Sequence, residues 1–248
     1  MYHFKFLAVF FLFVSCSKSN NNPVNTCNQI MEAFDPHPYG ALGPPTAIFT
    51  YDDQGRVVKV KGQLQNQASY TYYNDSIVLN ATDIYGVDIG TTYYLDNQQR
   101  IRGSKFYNSE YTYNADGYMI YCKLPFGNNG QITGFTPKFL SYTNGNLTEV
   151  STTDPNAVPQ KISIGYYNEP DQDLMGYNSP LYVSEILGDR NSFFLVKAGF
   201  FGKQSKNLLK TLDWNSVYYP PGTVIYANDS TGRIISEQDG FSFKYRCP

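Results

Sequence analysis

The segment Phe49-Thr50-Tyr51-Asp52-Asp53-Gln54-Gly55-Arg56-Val57 returns along the chain in altered copies. Tyr93-Tyr94-Leu95-Asp96-Asn97-Gln98-Gln99-Arg100-Ile101 is a second copy, with Gln99 in the place of Gly55. Tyr111-Thr112-Tyr113-Asn114-Ala115-Asp116-Gly117-Tyr118-Met119 is a third, and Leu140-Ser141-Tyr142-Thr143-Asn144-Gly145-Asn146-Leu147 a shortened fourth. Ile225-Tyr226-Ala227-Asn228-Asp229-Ser230-Thr231-Gly232-Arg233-Ile234 is a fifth, one residue longer. In each, an aromatic-rich stretch alternates with period two, as a half-buried strand does. Asp, Asn and Gly then gather, Asx side chains capping a turn and Gly accepting positive φ, before an aliphatic stretch leads back. Each copy therefore predicts a hairpin, with Gly55, Gly117, Gly145 and Gly232 in the turns. The Asp and Arg residues read as turn-formers and edge charges, not as acid–base machinery.

Repeated strand, turn and strand make an antiparallel meander. The copies begin at irregular intervals, whereas a propeller or strict solenoid holds a fixed period. The expectation is an all-β fold: a large twisted, curled sheet or partial barrel. Ser69 to Asn80 adds a further hairpin and Lys161 to Tyr167 a further strand. The pattern breaks after Tyr167. Ser179 then reads as an N-cap, Pro180 as the first helical position and Gly188 as the stop, which predicts one short helix over 180–187.

Before the repeats comes a different kind of segment. Lys5 precedes Phe6 to Val14, which holds no polar residue. Such a run is far shorter than the roughly 20 residues that span a bilayer, so 1–15 reads as a cleaved signal. Leu12-Phe13-Val14-Ser15-Cys16 resembles the lipobox of bacterial lipoproteins, with Phe13 departing from the usual Leu, and this implies lipidation at Cys16. The alternative is an ordinary secretory signal. Residues 16–26 are polar and read as the lipidated cysteine and a flexible tether. Residues 27–248 read as a single β-meander domain with no internal boundary.

Removing Lys5 with the signal leaves 18 basic and 21 acidic side chains, net −3, and no basic stripe. That excludes nucleic acid as an expected partner, since phosphate neutralisation supplies most of such affinity. Cys27 and Cys247 bracket the domain in an oxidising compartment and are expected to form a disulfide. Cys122 lies within a strand pattern and reads as a small buried hydrophobe.

The hairpin signature is similar to the YD-type repeats of bacterial cell-surface proteins. The mature chain more closely resembles a Bacteroidota family of lipoproteins of unknown function with a porin-like β fold. The residues that carry this are Tyr51 to Arg56, Asn178-Ser179-Pro180-Leu181, Ser205-Lys206-Asn207-Leu208-Leu209 and Phe243-Lys244-Tyr245-Arg246-Cys247. The resemblance implies the fold and the envelope location, and brings no activity, cofactor or catalytic residue.

Chemistry is thinly represented. The one histidine left after signal removal, His37, sits in a proline-pinned loop, so a triad has little to draw on. Asp171 and Asp173 have the spacing of a calcium loop, but Met175 and Tyr182 occupy positions that need oxygen ligands. No phosphate-binding glycine loop occurs. No metal or cofactor is expected. Tyrosine is the unusual resource, 23 in 248 residues. It suits strands, and an exposed row of it would stack on sugars or contact protein. Tyr70, Tyr72, Tyr94, Tyr111, Tyr113 and Trp214 are the candidates for such a face. The leading expectation is a non-catalytic, lipid-anchored outer-membrane protein, a binding or structural module. Ser17 to Asn22 carries no acid, which favours the periplasmic face over the cell surface. The alternatives are a carbohydrate-binding lipoprotein of a glycan uptake system, a two-carboxylate hydrolase and a transmembrane barrel. The expected partners are the membrane, through the lipid, and a glycan or envelope protein.

Overall fold

The computed structural model describes residues 29–34, 46–62, 65–82, 86–105, 108–128, 131–154, 161–171, 195–196, 198–215, 221–237 and 242–246. They form β1 (Gln29–Phe34), β2 (Thr46–Tyr51), β3 (Val57–Gly62), β4 (Gln65–Tyr72), β5 (Ser76–Thr82) and β6 (Thr91–Leu95). Then come β7 (Ile101–Ser104), β8 (Glu110–Tyr113), β9 (Met119–Asn128), β10 (Gln131–Thr143), β11 (Asn146–Ser151) and β12 (Lys161–Pro170). The last are β13 (Asn207–Asp213), β14 (Gly222–Thr223), β15 (Tyr226–Asn228), β16 (Ile234–Glu237) and β17 (Ser242–Arg246). The short helix expected at 180–187 lies outside the described residues, as do Cys16, Cys27 and Cys247.

All the strands belong to one sheet. Each pairs antiparallel with its sequence neighbour from β1 through β14. β15, β16 and β17 continue the series, and β17 returns to pair with β1. No ladder joins β14 to β15 among the described residues, so the curled meander stops short of a closed barrel. One backbone bond, from Val224 N to the Lys210 carbonyl (2.8 Å), and two side chains tie residues 224–226 to β12 and β13. The Tyr226 hydroxyl donates to the Leu209 carbonyl (2.8 Å) and the Tyr167 hydroxyl to the Val224 carbonyl (2.9 Å). Leu208 and Ile234 are buried together beneath those two rings.

Period-two burial fills the concave side. Phe49, Ile77, Leu79, Tyr93, Ile101, Met119, Leu147 and Ile162 are all fully buried there, in one continuous cluster. The alternate residues point outwards and are largely polar: Lys59, Lys61, Thr71, Asn80, Arg102 and Glu110 are exposed. A lipid-facing barrel needs an apolar band at such positions.

Antiparallel pairing sends every repeated turn to the same end of the sheet. The turns at 52–56, 96–100, 114–118, 144–145 and 229–233 all lie there, and so do the first residue of β1 and the last of β17. The expected glycines have the expected backbone: φ is +75° at Gly55, +91° at Gly117, +82° at Gly145 and +83° at Gly232. Gln99 adopts the same left-handed conformation without being glycine (φ +63°), and its side-chain amide donates to the Asn74 carbonyl (2.8 Å).

A strap, residues 198–206, crosses this end. Phe200 accepts a hydrogen bond at its carbonyl from Ile101 N (2.7 Å). Three and six residues on, Lys203 N donates to the Gly117 carbonyl (2.9 Å) and Lys206 N to the Gly145 carbonyl (3.0 Å). Three successive hairpins thus each hold the strap by one backbone bond. Phe201 is fully buried, edge-on to Tyr111 at 5.1 Å. Burying such a ring contributes about 1.5–3 kcal/mol. The Ser205 hydroxyl accepts from Leu147 N (3.2 Å) and lies 2.9 Å from the Tyr166 hydroxyl.

Gly202 sits where the strap meets the third turn. A Cβ there would fall inside contact distance of the Gly117 carbonyl and touch the Tyr113 ring, whereas a Cβ on Gly232 would meet nothing within 4 Å. Both have positive φ, so both carry the backbone strain of a side chain, about 1–2 kcal/mol. Urea unfolding of Gly232→Ala is expected to show about that loss. Gly202→Ala is expected to lose about 3 kcal/mol or more, because the strap must lift as well. Equal losses would mean that the strap is not seated on Gly117.

Candidate functional site

Three turns share one construction. In the first, the Asp52 Oδ1 accepts from the backbone amides of Gln54 (3.0 Å) and Arg56 (2.8 Å), while Oδ2 takes Arg56 Nε (2.8 Å) and Nη2 (2.8 Å). Asp96 does the same with Gln98 and Arg100, and Asp229 with Thr231 and Arg233. Each carboxylate thereby satisfies two turn amides and one guanidinium. An exposed ion pair alone contributes about 0–1 kcal/mol. The backbone amides are what make the aspartate a clip, since hydrogen bonds to charged groups contribute roughly 1.5–3 kcal/mol.

The arginine then supports the next hairpin. Arg56 lies over the Tyr72 ring at 4.2 Å, and Arg100 over Tyr113 at 4.3 Å. Each of these tyrosines donates its hydroxyl to the carbonyl that follows the arginine: Tyr72 to Val57 (2.7 Å), Tyr113 to Ile101 (2.6 Å). Arg100 Nη1 is buried with no hydrogen-bond acceptor, and the Tyr113 ring is the electron-rich group against that guanidinium. In the third turn Asn114 replaces the aspartate and accepts from Tyr118 N (2.9 Å). Tyr118 replaces the arginine, and packs on Tyr142 with centroids 4.6 Å apart. In these three copies the same position carries the group that touches the next hairpin's tyrosine.

This arrangement decides where the candidate tyrosines lie. Tyr70 (4% exposed) and Tyr111 (7%) belong to the core. Tyr72 is held under Arg56 and stacks on Phe200 at 5.6 Å, and Tyr113 is held under Arg100. Trp214 is half-buried against the core. Burial pushes the hydroxyls of Tyr72 and Tyr113 well above the ordinary phenol range. Only Tyr94, 39% exposed with Arg102 5.9 Å above its ring, faces solvent. These six residues do not form an open aromatic row, because the clips and the core take up their rings.

Among the described residues, a partly open aromatic patch lies on the convex face of β9 and β10, where Phe139 is exposed and Tyr121 and Phe135 are half-buried. Ladder partners there are Tyr121 with Phe139, Lys123 with Pro137 and Pro125 with Phe135. Their neighbours Cys122, Leu124, Lys138 and Leu140 point inwards and are buried. The Tyr121 and Phe139 rings lie 5.5 Å apart, and Phe139 is 42% exposed. Lys123 Nζ sits 4.8 Å from the Phe135 ring and 3.0 Å from Glu110 Oε1. The sequence reading passed over this hairpin. Its signal was present: period-two stretches 119–128 and 131–143 flank Asn129-Gly130, a two-residue turn pair.

Cys122 is wholly buried in that hairpin's inner face. Burial pushes its thiol up to about 12, against the pull of Lys138, so it packs as a hydrophobe at neutral pH. Among the described residues no group of three His, Cys, Asp or Glu could hold a metal ion. Asp171 donates its backbone amide to the Lys206 carbonyl (3.0 Å), while His37 and Asp173 lie outside the described residues.

The architecture matches solved structures. A porin-like protein from Bacteroides uniformis superposes with a TM-score of 0.59 over 87% of this chain and 96% of that one, at 13% identity. A porin-like protein from Bacteroides vulgatus gives 0.50 over 88% and 98%, at 14% identity. No family model matches the chain, and no curated protein does. The chain therefore has the β fold of these porin-like proteins.

The clips make stability depend on pH. Partial desolvation raises the Asp96 carboxyl, but the hydrogen bonds from Arg100 and Gln98 outweigh it and hold the group below its ordinary range. At Asp229 the Thr231 hydroxyl is the largest influence; desolvation opposes it, and the Arg233 and Thr231 amides and the Arg233 side chain add to the lowering. Folded carboxyls with depressed pKa contribute stability that is complete above the unfolded value, near 3.9, and lost as pH falls through the folded value. Unfolding free energies measured from pH 6 to pH 2 should therefore fall steeply below about pH 4 for the native chain. Asp96→Asn should be less stable at pH 6 and show a shallower fall; parallel curves would contradict the clip.

Proposed function

We propose that this chain is a lipid-anchored protein of the bacterial cell envelope, held at the outer membrane through Cys16, where it serves as a non-catalytic binding or structural module. The observation that carries this reading is the polarity of the sheet. The clipped turns, the strap and both ends of the β domain share one end, so a tether from Cys16 enters at the end where backbone and charge are already paired. Twelve residues lie between Cys16 and Gln29, thirteen steps along the chain and a reach of at most about 45 Å. The opposite end, with the long β9–β10 hairpin, is then free to meet other molecules.

Three further features support it. The fold is shared with porin-like Bacteroides proteins. The polar convex face suits a domain beside a membrane better than one within it. The repeats' carboxylates are occupied in clips, which leaves them poorly suited to acid–base work. The hairpin repeats belong, on this reading, with the YD-type repeats of surface proteins, and the acid-free start of the tether favours the periplasmic face. We also propose a Cys27–Cys247 disulfide that closes the domain; what supports it is the pairing of β1 with β17, in which Gln29 lies opposite Arg246, two residues after Cys27 and one before Cys247 in the sequence.

Cys16→Ala tests the anchor. The native chain is expected in the membrane fraction and labelled by a fatty-acid probe; the variant is expected unlabelled and mostly released. Unchanged fractionation would reject the lipoprotein reading. A non-reducing peptide map of the same material is expected to contain the Cys27–Cys247 pair.

A further inference from the structure

We propose that the convex face of β9 and β10 is a binding platform for a neutral polysaccharide. This rests on the reading of the chain as a binding module, and names where and what it binds.

The hairpin extends beyond its neighbours. β8 pairs with β9 only from Met119 to Lys123, and β11 pairs with β10 only from Phe139 to Thr143. From there outwards the two strands pair only with each other among the described residues, as far as Asn128 and Gln131. Their edges are poor templates for a further strand, because Pro125 and Pro137 lack the amide that a ladder needs. What the hairpin offers is its face.

That face is a strip of three rungs: Tyr121, Phe139, Phe135 and the two prolines are apolar, and Lys123 lies on the middle rung among them, over the Phe135 ring and paired with Glu110. Rings present flat apolar surface to the C–H face of a pyranose, while Lys123 supplies donors and Glu110 acceptors for hydroxyls at the ring edge. One cation beside one anion leaves no net charge to select an acidic ligand. Size separates the other occupants. Three rungs along two strands span about 14 Å by 5 Å between backbones, a footprint of about 70 Å² before the side chains widen it. A stable protein partner needs about 800 Å². A short run of sugar rings needs no more than the strip. Position counts against the chain's own bilayer, since the strip runs towards the end opposite the one where the tether enters.

The full-length chain, extracted in a detergent without a sugar headgroup, is run in native gels cast with dextran, laminarin or soluble xylan. Retardation is expected in at least one of them. Tyr121→Ala and, separately, Phe139→Ser are each expected to weaken it about tenfold, the loss of one stacked ring. Tyr73→Ala, which removes an exposed ring elsewhere, is expected to leave it unchanged. Phe139 is exposed enough that its replacement leaves the core intact, and an unchanged thermal transition checks this. No retardation in any gel, or retardation that both strip variants keep, overturns the proposal. So does binding to phosphatidylethanolamine–phosphatidylglycerol vesicles that the strip variants abolish while the gels show nothing. The anchor is scored separately by the fractionation of Cys16→Ala, so either reading fails without the other.

Discussion

An aspartate that binds two turn amides and one arginine, with that arginine lying on a tyrosine of the next hairpin, is the interaction on which this sheet depends. Backbone ladders already join each hairpin to the next, β3 to β4 and β7 to β8. The clip adds a side-chain tie across the same joins. It fixes the turn through the backbone, then hands a flat cationic group to the following hairpin, whose tyrosine hydroxyl returns to the carbonyl beside it. Where Tyr118 takes the arginine's place, ring packing on Tyr142 performs the same task, and the Tyr142 hydroxyl is left buried without a partner. That orphan costs about 1–3 kcal/mol.

Because every clip falls at one end, the two ends of the sheet differ. The clip end is further bound by the strap, whose backbone bonds fall on three successive hairpins at three-residue intervals. Asn207, just beyond it, exchanges bonds with Asn146, its amide donating to Oδ1 (2.9 Å) and its Oδ1 accepting from Nδ2 (3.0 Å). The other end carries the protruding β9–β10 hairpin and its aromatic face. Separation of a braced end from an open one is how a scaffold positions a binding surface without mobilising it.

The architecture was largely legible because its signals are local. Asx-Gly spacing with period-two flanks is a backbone argument, and it located the turns at Gly55, Gly117, Gly145 and Gly232. Even the departures were readable, since Gln99 stands where glycine belongs and adopts glycine's conformation. The candidate face was less legible. Tyr72 and Tyr113 look like an exposed row when counted by composition; that an arginine sixteen or thirteen residues earlier would cover each ring depends on strand register, which a single segment does not reveal. Tyr121 and Phe139 became a pair only through the β9–β10 register, although the Asn129-Gly130 pair between them in the sequence is a hairpin signal. The strap was the hardest element to foresee. Its residues match no strand or helix period, and its partners lie on hairpins 60 to 100 residues away in sequence.

The most direct measurement is a double-mutant cycle across the join between two hairpins. Unfolding free energies are compared for the native chain, Arg100→Ala, Tyr113→Leu and the double variant. If the clip's arginine couples one hairpin to the next, the double variant loses less than the sum of the single losses, with a coupling of about 1 kcal/mol or more. Additive losses, agreeing within about 0.3 kcal/mol, would mean that the guanidinium and the ring are merely neighbours, and that the hairpins are kept in step by their ladders alone.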